Sequence, residues 1–141
     1  MLVRLLYVSR ALDPKATEVT ESILDSARQH NMSNGITGIL CYGGGIYLQA
    51  IEGGRRQVNE LYGHIVRDPR HKDVVLLHYS EITERRFGGW TMGQVNLSKL
   101  NISTVLKYSE QPELDPYSVS GEVSQALLEE LMLTASIIGR A

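Results

Sequence analysis

A phenol and a primary amide, Tyr7 and Gln49, are the side chains of this 141-residue sequence whose placement most invites chemistry. Residues 2–9 have a period of two that puts Val3, Leu5 and Tyr7 on one face and Leu2, Leu6 and Val8 on the other. Residues 46–52 alternate in the same way, so Gln49 shares a face with Tyr47 and Ile51. If these runs are neighbouring strands, the amide lies beside the phenol. A buried glutamine must find hydrogen-bond partners or cost roughly 1 to 3 kcal/mol. Either Tyr7 and a ligand satisfy Gln49, or Gln49 faces solvent and carries no function.

Other reactive residues form no recognisable site. His30, His64, His71 and His78 lack paired cysteines or the two-histidine spacing of a metal-binding helix, so no metal is expected. The glycines at 43–45 and 53–54 are not followed by Lys-Ser/Thr and do not form the dinucleotide spacing, which leaves them as turns. Ser9 and Cys41 sit in no nucleophile elbow or Cys-His arrangement. Glu52 and Asp68 fall at element ends, where capping or solvation accounts for them.

The elements that must position Tyr7 and Gln49 follow from periodicity and punctuation. Residues 2–9 read as a strand, and residues 15–30 as a helix with its apolar stripe at Ala16, Val19, Ile23, Leu24 and Ala27. Asn31 and Asn34-Gly35 end that helix. Strands are expected at 35–42 and 46–52, joined by Gly43-Gly44-Gly45, followed by a helix at 55–67 that Asp68-Pro69 stops. Residues 74–82 form a fourth strand and 90–95 a fifth. This order predicts an α+β, ferredoxin-like βαββαβ sheet with an additional strand and both helices on one face. The segment 121–138, apolar at Val123, Leu127, Leu131, Leu133 and Ile138, supplies a helical tail for the other face.

Composition narrows the partners. The formal net charge is −2, with both signs mixed along the chain, which argues against nucleic acid or an anionic membrane as ligand. Cys41 is the sole cysteine, so a reducing, cytoplasmic compartment is expected. The first nine residues carry Arg4 and no cleavage site, and no run approaches the roughly 18 apolar residues of a membrane span.

Several short motifs in fixed order add a resemblance. Leu5-Leu6-Tyr7-Val8-Ser9, His30-Asn31, Asn34-Gly35-Ile36-Thr37-Gly38-Ile39-Leu40, Tyr47-Leu48-Gln49-Ala50-Ile51-Glu52-Gly53, Asp68-Pro69-Arg70-His71 and Trp90-Thr91-Met92-Gly93 together resemble the BLUF family, sensors of blue light using FAD. The resemblance spans residues 2 to about 95. It implies a photoreceptor rather than an enzyme, with FAD held noncovalently between the two helices. Tyr7 matches the photoactive tyrosine, Gln49 the glutamine between that hydroxyl and flavin N5, and Asn31 the amide on the pyrimidine edge. Arg70 resembles the cationic donor to the carbonyl edge, with Asp68 and His71 in the same loop and His30 before the pocket asparagine.

Ile23, Leu40, Ile51 and Ile65 would wall the ring, and Arg28 could meet a phosphate, although an exposed helical arginine needs no such explanation. Trp90 and Met92 match the fifth-strand pair whose side chains alternate near the glutamine, although core filling explains Trp90 equally well. The resemblance also implies a photosensory part at 1–97 and a helical extension of the same domain at 98–141. Output would pass to a separate, unidentified protein or through a homodimer. Two rival readings fit the same pattern. One is a hydrolase resembling acylphosphatases, for which Ser9-Arg10-Ala11-Leu12-Asp13 supplies an arginine but not the phosphate loop. The other is a colourless ferredoxin-like module that binds a metabolite or a protein.

Overall fold

The computed structural model describes residues 1–14 and 17–134. Their order is β1 (Leu2–Ala11), α1 (Thr17–Asn34), β2 (Thr37–Gly43), β3 (Ile46–Gly54), α2 (Arg55–Arg67), β4 (His71–Ile82), β5 (Gly93–Asn96), a 3-10 turn (Leu97–Lys99), α3 (Ile102–Tyr108) and α4 (Gly121–Leu133). Ala16 and Ile138, expected on helices, lie outside the described residues.

The strands form one sheet in the order β4-β1-β3-β2-β5, the ferredoxin-like arrangement extended by a fifth strand. Neighbours run antiparallel except β5, which lies parallel to β2. Alternation sorts the sheet into two faces, as the period of two requires. Val3, Leu5 and Tyr7 join Leu24 of α1 and Val58 of α2 in one buried cluster. Leu6 and Val8 join Ile39, Cys41, Leu48 and Ala50 with Leu127, Leu128 and Leu131 of α4 in the other. Each large side chain so buried contributes about 1.5–3 kcal/mol. The far face of the sheet is therefore covered by α4, as the apolar tail predicts.

Two turns show why glycine is needed. Gly44 and Gly45 take φ +60° and +80° between β2 and β3, a conformation that side chains with a Cβ rarely adopt. Gly35 (φ +66°) follows the last residue of α1 and ends it.

Strand β4 starts at His71, three residues before the expected 74, β2 starts at Thr37 rather than at 35, and other details also differ from the sequence expectations. Helix α1 runs beyond His30 to Asn34, whose side-chain amide donates to the His30 carbonyl at 2.7 Å before Gly35 stops the chain. Strand β5 begins at Gly93 rather than at residue 90. Before it, side chains of α1 take the carbonyls of Thr91 and Met92, so these residues cross between faces without joining the ladder. Leu133 is 85% exposed, off the face of α4 that buries Ser124, Leu127, Leu128 and Leu131. Helix α3 was not anticipated; it is short, and Asn101 caps it by accepting from Ser103 N at 2.9 Å.

Among the described residues no helix is long and apolar enough to cross a membrane, and no three His, Cys, Asp or Glu side chains converge as metal ligands.

Candidate functional site

Pairing of β1 with β3 sets Tyr7 directly opposite Gln49 on the face that carries α1 and α2. The two helices do not close over this pair. Between them opens a cleft of about 210 Å³ whose floor is Tyr7, Gln49 and Leu40. Helix α1 contributes Ile23, His30 and Asn31, α2 with the turn after it contributes Ile65, Asp68 and Arg70, and the first residue of β4 contributes His71. The cleft also takes in Ser26, Ala27, Tyr47, Leu61 and His64, which sequence reasoning missed. Helical spacing held the signal: 23, 26, 27, 30 and 31 make one stripe of α1, and 61, 64 and 65 make one stripe of α2.

A directed chain of hydrogen bonds occupies the floor. The Tyr7 hydroxyl donates to Gln49 Oε1, and Gln49 Nε2 donates to Met92 Sδ at 3.3 Å. All three side chains are buried. Burial, reinforced by the nearby charge of Asp68, pushes the Tyr7 phenol far above its ordinary range. Tyr7 is consequently a neutral donor at any physiological pH, and it fixes the amide with its oxygen toward the phenol. The rings of Tyr62 and His71 flank Tyr7, with centroids 5.9 and 6.2 Å away.

Asn31 is half satisfied. It is 1% exposed, and its Nδ2 donates to Thr91 O at 2.7 Å. Its Oδ1 is buried at the cleft with no partner among the described residues. A buried acceptor left so costs roughly 1–3 kcal/mol, and a bound group that offers an N–H would remove that cost.

The loop after α2 is braced by a fork. Arg70 donates from its backbone N and Nε to Asp68 Oδ1 (2.9 and 3.0 Å), and from Nε and Nη2 to Oδ2 (3.0 and 2.6 Å). Its Nη1 reaches Ser22 Oγ (3.0 Å) and Ser26 Oγ (3.4 Å) on α1. These bonds hold the Asp68 carboxyl below the usual carboxylate range and raise Arg70. Arg70 thus borders the cleft while much of its donor capacity is spent on Asp68 and α1. His71 Nε2 lies 2.6 Å from the Ile65 carbonyl, which can only accept, so this nitrogen carries a proton; Nδ1 faces the buried Ser9 hydroxyl at 2.7 Å.

Four expected site residues lie outside the cleft lining. Arg28 donates to Met92 O (3.2 Å) and Gln94 Oε1 (2.9 Å), binding α1 to the start of β5. Ile51 packs in the core beneath the cleft. Trp90 and Met92 precede β5 and are split by the sheet: Trp90 packs against the cluster under α4, and Met92 is buried under α1 beside Gln49. The element-end reading of Glu52 also fails. Its carboxylate is fully buried and ion-paired to Arg4 at 2.8 Å.

The family model for "Sensors of blue-light using FAD" matches residues 2–93. Photoactivated adenylate cyclase subunit beta of Euglena longa is 37% identical over 92 residues, covering 64% of this chain and 11% of that protein. The blue light- and temperature-regulated antirepressor BluF of Escherichia coli (strain K12) is 36% identical over 88 residues, covering 62% and 22%. The chain therefore spans less than a quarter of the length of these two relatives. The solved photo-activated state of BlsA superimposes with a TM-score of 0.85 at 30% identity, covering 94% of this chain and 96% of that one.

Proposed function

The chain belongs to the BLUF family, sensors of blue light using FAD, and from that premise we propose that Tyr7, Gln49 and Met92 are the light-driven switch of this chain. The carrying observation is the buried hydrogen-bond chain that runs from Tyr7 and Gln49 on the floor of the helix-lined cleft to Met92 beside it.

The cleft suits the cofactor. A flavin ring presents one imide N–H, the donor that Asn31 Oδ1 lacks, and two broad apolar faces that suit Ile23, Leu40, Leu61 and Ile65. Asp68, Arg70, His71 and His30 border the same opening. When bound, FAD supplies blue absorption and an excited state that draws an electron.

The remaining steps belong to the protein. Loss of an electron makes the Tyr7 phenol strongly acidic, and its proton leaves along the bond to Gln49 Oε1. After the phenol is restored, the amide settles with its donor and acceptor ends exchanged, by rotation or by tautomerisation. After rotation Oε1 faces Met92 Sδ; after tautomerisation Nε2 keeps its place with one N–H fewer to offer it. A thioether has no proton to give, so either packing is poorer than the first and Met92 gives way. The displacement biases β5 and the extension beyond residue 97 between two arrangements, which makes the amide a switch rather than a catalyst.

In this reading residues 1–97 sense and residues 98–141 transmit, without turnover by the chain itself. Output passes to a separate protein in the cytoplasm or through a second copy of this chain. The test is an absorption spectrum. Protein purified with FAD should be yellow and show a reversible red shift under blue light. A preparation that stays colourless after FAD is offered removes this reading in favour of a colourless module.

A further inference from the structure

Residues 83–92 join β4 to β5 without regular secondary structure, so bonds to other elements must set their place. At the end nearest the switch, Gly38 N donates to Trp90 O at 3.0 Å, Asn31 to Thr91 O at 2.7 Å and Arg28 to Met92 O at 3.2 Å. The other end converges on one carboxylate. Glu52 Oε1 accepts from Phe87 N (2.7 Å), and Oε2 accepts from Arg86 N (3.0 Å) and Arg4 Nε (2.8 Å). Two successive main-chain N–H groups aimed at one buried anion fix the course of the backbone there.

The consequences run along the loop to the switch. Phe87, fully buried under α4, is held by its own N–H, and its carbonyl accepts from Trp90 N at 3.2 Å. Two residues later the chain reaches Met92, the acceptor of the Gln49 amide. Strand alternation puts Glu52 on the opposite face of β3 from Gln49, so it touches neither the cleft nor the amide.

Building on the reading of Tyr7, Gln49 and Met92 as the switch, we propose that Glu52 is a positioning residue whose buried carboxylate anchors the Arg86-Phe87 turn and thereby sets how firmly Met92 sits against Gln49. A carboxylate that only fills the core would alter stability alone. An anchor alters Met92 as well.

The test uses the full chain with two variants. Glu52→Gln keeps an oxygen for Phe87 N and turns an N–H2 toward Arg86 N. Arg4→Met combined with Glu52→Gln removes the guanidinium that the single variant leaves buried without its partner, so folding is retained. The methyl resonance of Met92, assigned by Met92→Leu, is recorded in 13C-methyl-methionine protein without FAD, and recovery in the dark is timed after a blue pulse with FAD. We expect the Met92 methyl to shift or broaden in both variants while that of exposed Met32 stays in place, and recovery to slow about tenfold, the equivalent of 1.4 kcal/mol. A wild-type Met92 methyl with recovery within about twofold of wild type overturns the proposal. If the unaltered chain shows no photoshift, the sensor reading fails, and the FAD-free methyl spectra still decide the role of Glu52.

Discussion

One hydroxyl proton decides the resting state of the site. Tyr7 is buried and kept neutral, so its O–H must donate, and Gln49 Oε1 receives it. The amide nitrogen is left for the Met92 thioether, a weak acceptor. Removing the hydroxyl therefore removes both the electron donor and the group that orients the amide. Tyr7→Phe should keep FAD, because Asn31 and the apolar walls are untouched, and should lose the photoshift; a normal red shift in that variant would take Tyr7 out of the mechanism. Asn31 tests binding instead. Replacing it by Ala deletes the acceptor at the cleft and the donor to Thr91 O. With roughly 1–3 kcal/mol at stake, FAD affinity measured by fluorescence titration should fall about tenfold or more. An unchanged Kd would mean that Oδ1 meets no donor on the cofactor.

At the scale of elements, two glycine substitutions should act with opposite signs. A Cβ on Gly121 would lie 2.1 Å from Leu77 O and 2.8 Å from Leu77 C, backbone atoms of β4 that cannot swing aside. Gly121→Ala must lift the first turn of α4 from the sheet, at a cost of about 1–3 kcal/mol. A Cβ on Gly63 in α2 meets only the flexible end of Arg67, at 3.7 Å. Gly63→Ala should stabilise by about 0.5–1 kcal/mol through helix propensity. Urea midpoints compare the two, and equal shifts would contradict the close packing of α4 on β4. The brace after α2 has its own signature in pH. Arg70 depresses Asp68, so the contribution is fully present above the unfolded carboxyl value, about 3.9, and is lost as pH falls through the lower folded value. The stability difference between wild type and Asp68→Asn should be level from neutral pH down to that value and vanish in stronger acid; a difference that faded near neutrality would assign it to another group.

These elements show which parts of the design a linear pattern carries. Period-two runs give Tyr7 and Gln49 their faces on two neighbouring strands, and the helical stripe through Ile23 gives α1 its apolar face, because those periods are properties of the chain itself; that Ile23 and Ile65 wall the site is what the family resemblance implies. Bonds between residues far apart in sequence leave no such trace. Glu52 was read as an ordinary strand end because its partners, Arg4, Arg86 and Phe87, come from a neighbouring strand and a distant loop. Arg28 looked like a free surface cation until β5 came to lie beneath it. The apolar pattern starts β5 three residues too early for the same reason: α1 side chains, not a neighbouring strand, hold Thr91 and Met92.

For the whole molecule, the question is how a change at Gln49 leaves a buried site. The sheet separates two cores, and the switch lies in the one beneath α1 and α2, while α4 belongs to the other. Residues 86–92 bridge them, since Phe87 and Trp90 pack with the α4 core and Met92 with the switch. Beyond them β5 pairs with only four residues of β2, from Ile39 to Tyr42, at the edge of the sheet. It is the shortest strand, and short edge pairing opens more easily than the central ladder of β1 with β3. The Leu97–Lys99 turn and α3 follow directly. If light weakens the hold on Met92, amide exchange should rise first in residues 86–96, then in the turn and α3, while β1 and β3 keep their protection. Deuterium exchange measured by mass spectrometry in the dark and under continuous blue light follows these segments separately. The largest light-induced change falling in α2, with residues 86–96 unaltered, would place the outlet on the helix side of the cleft and discard the route through β5.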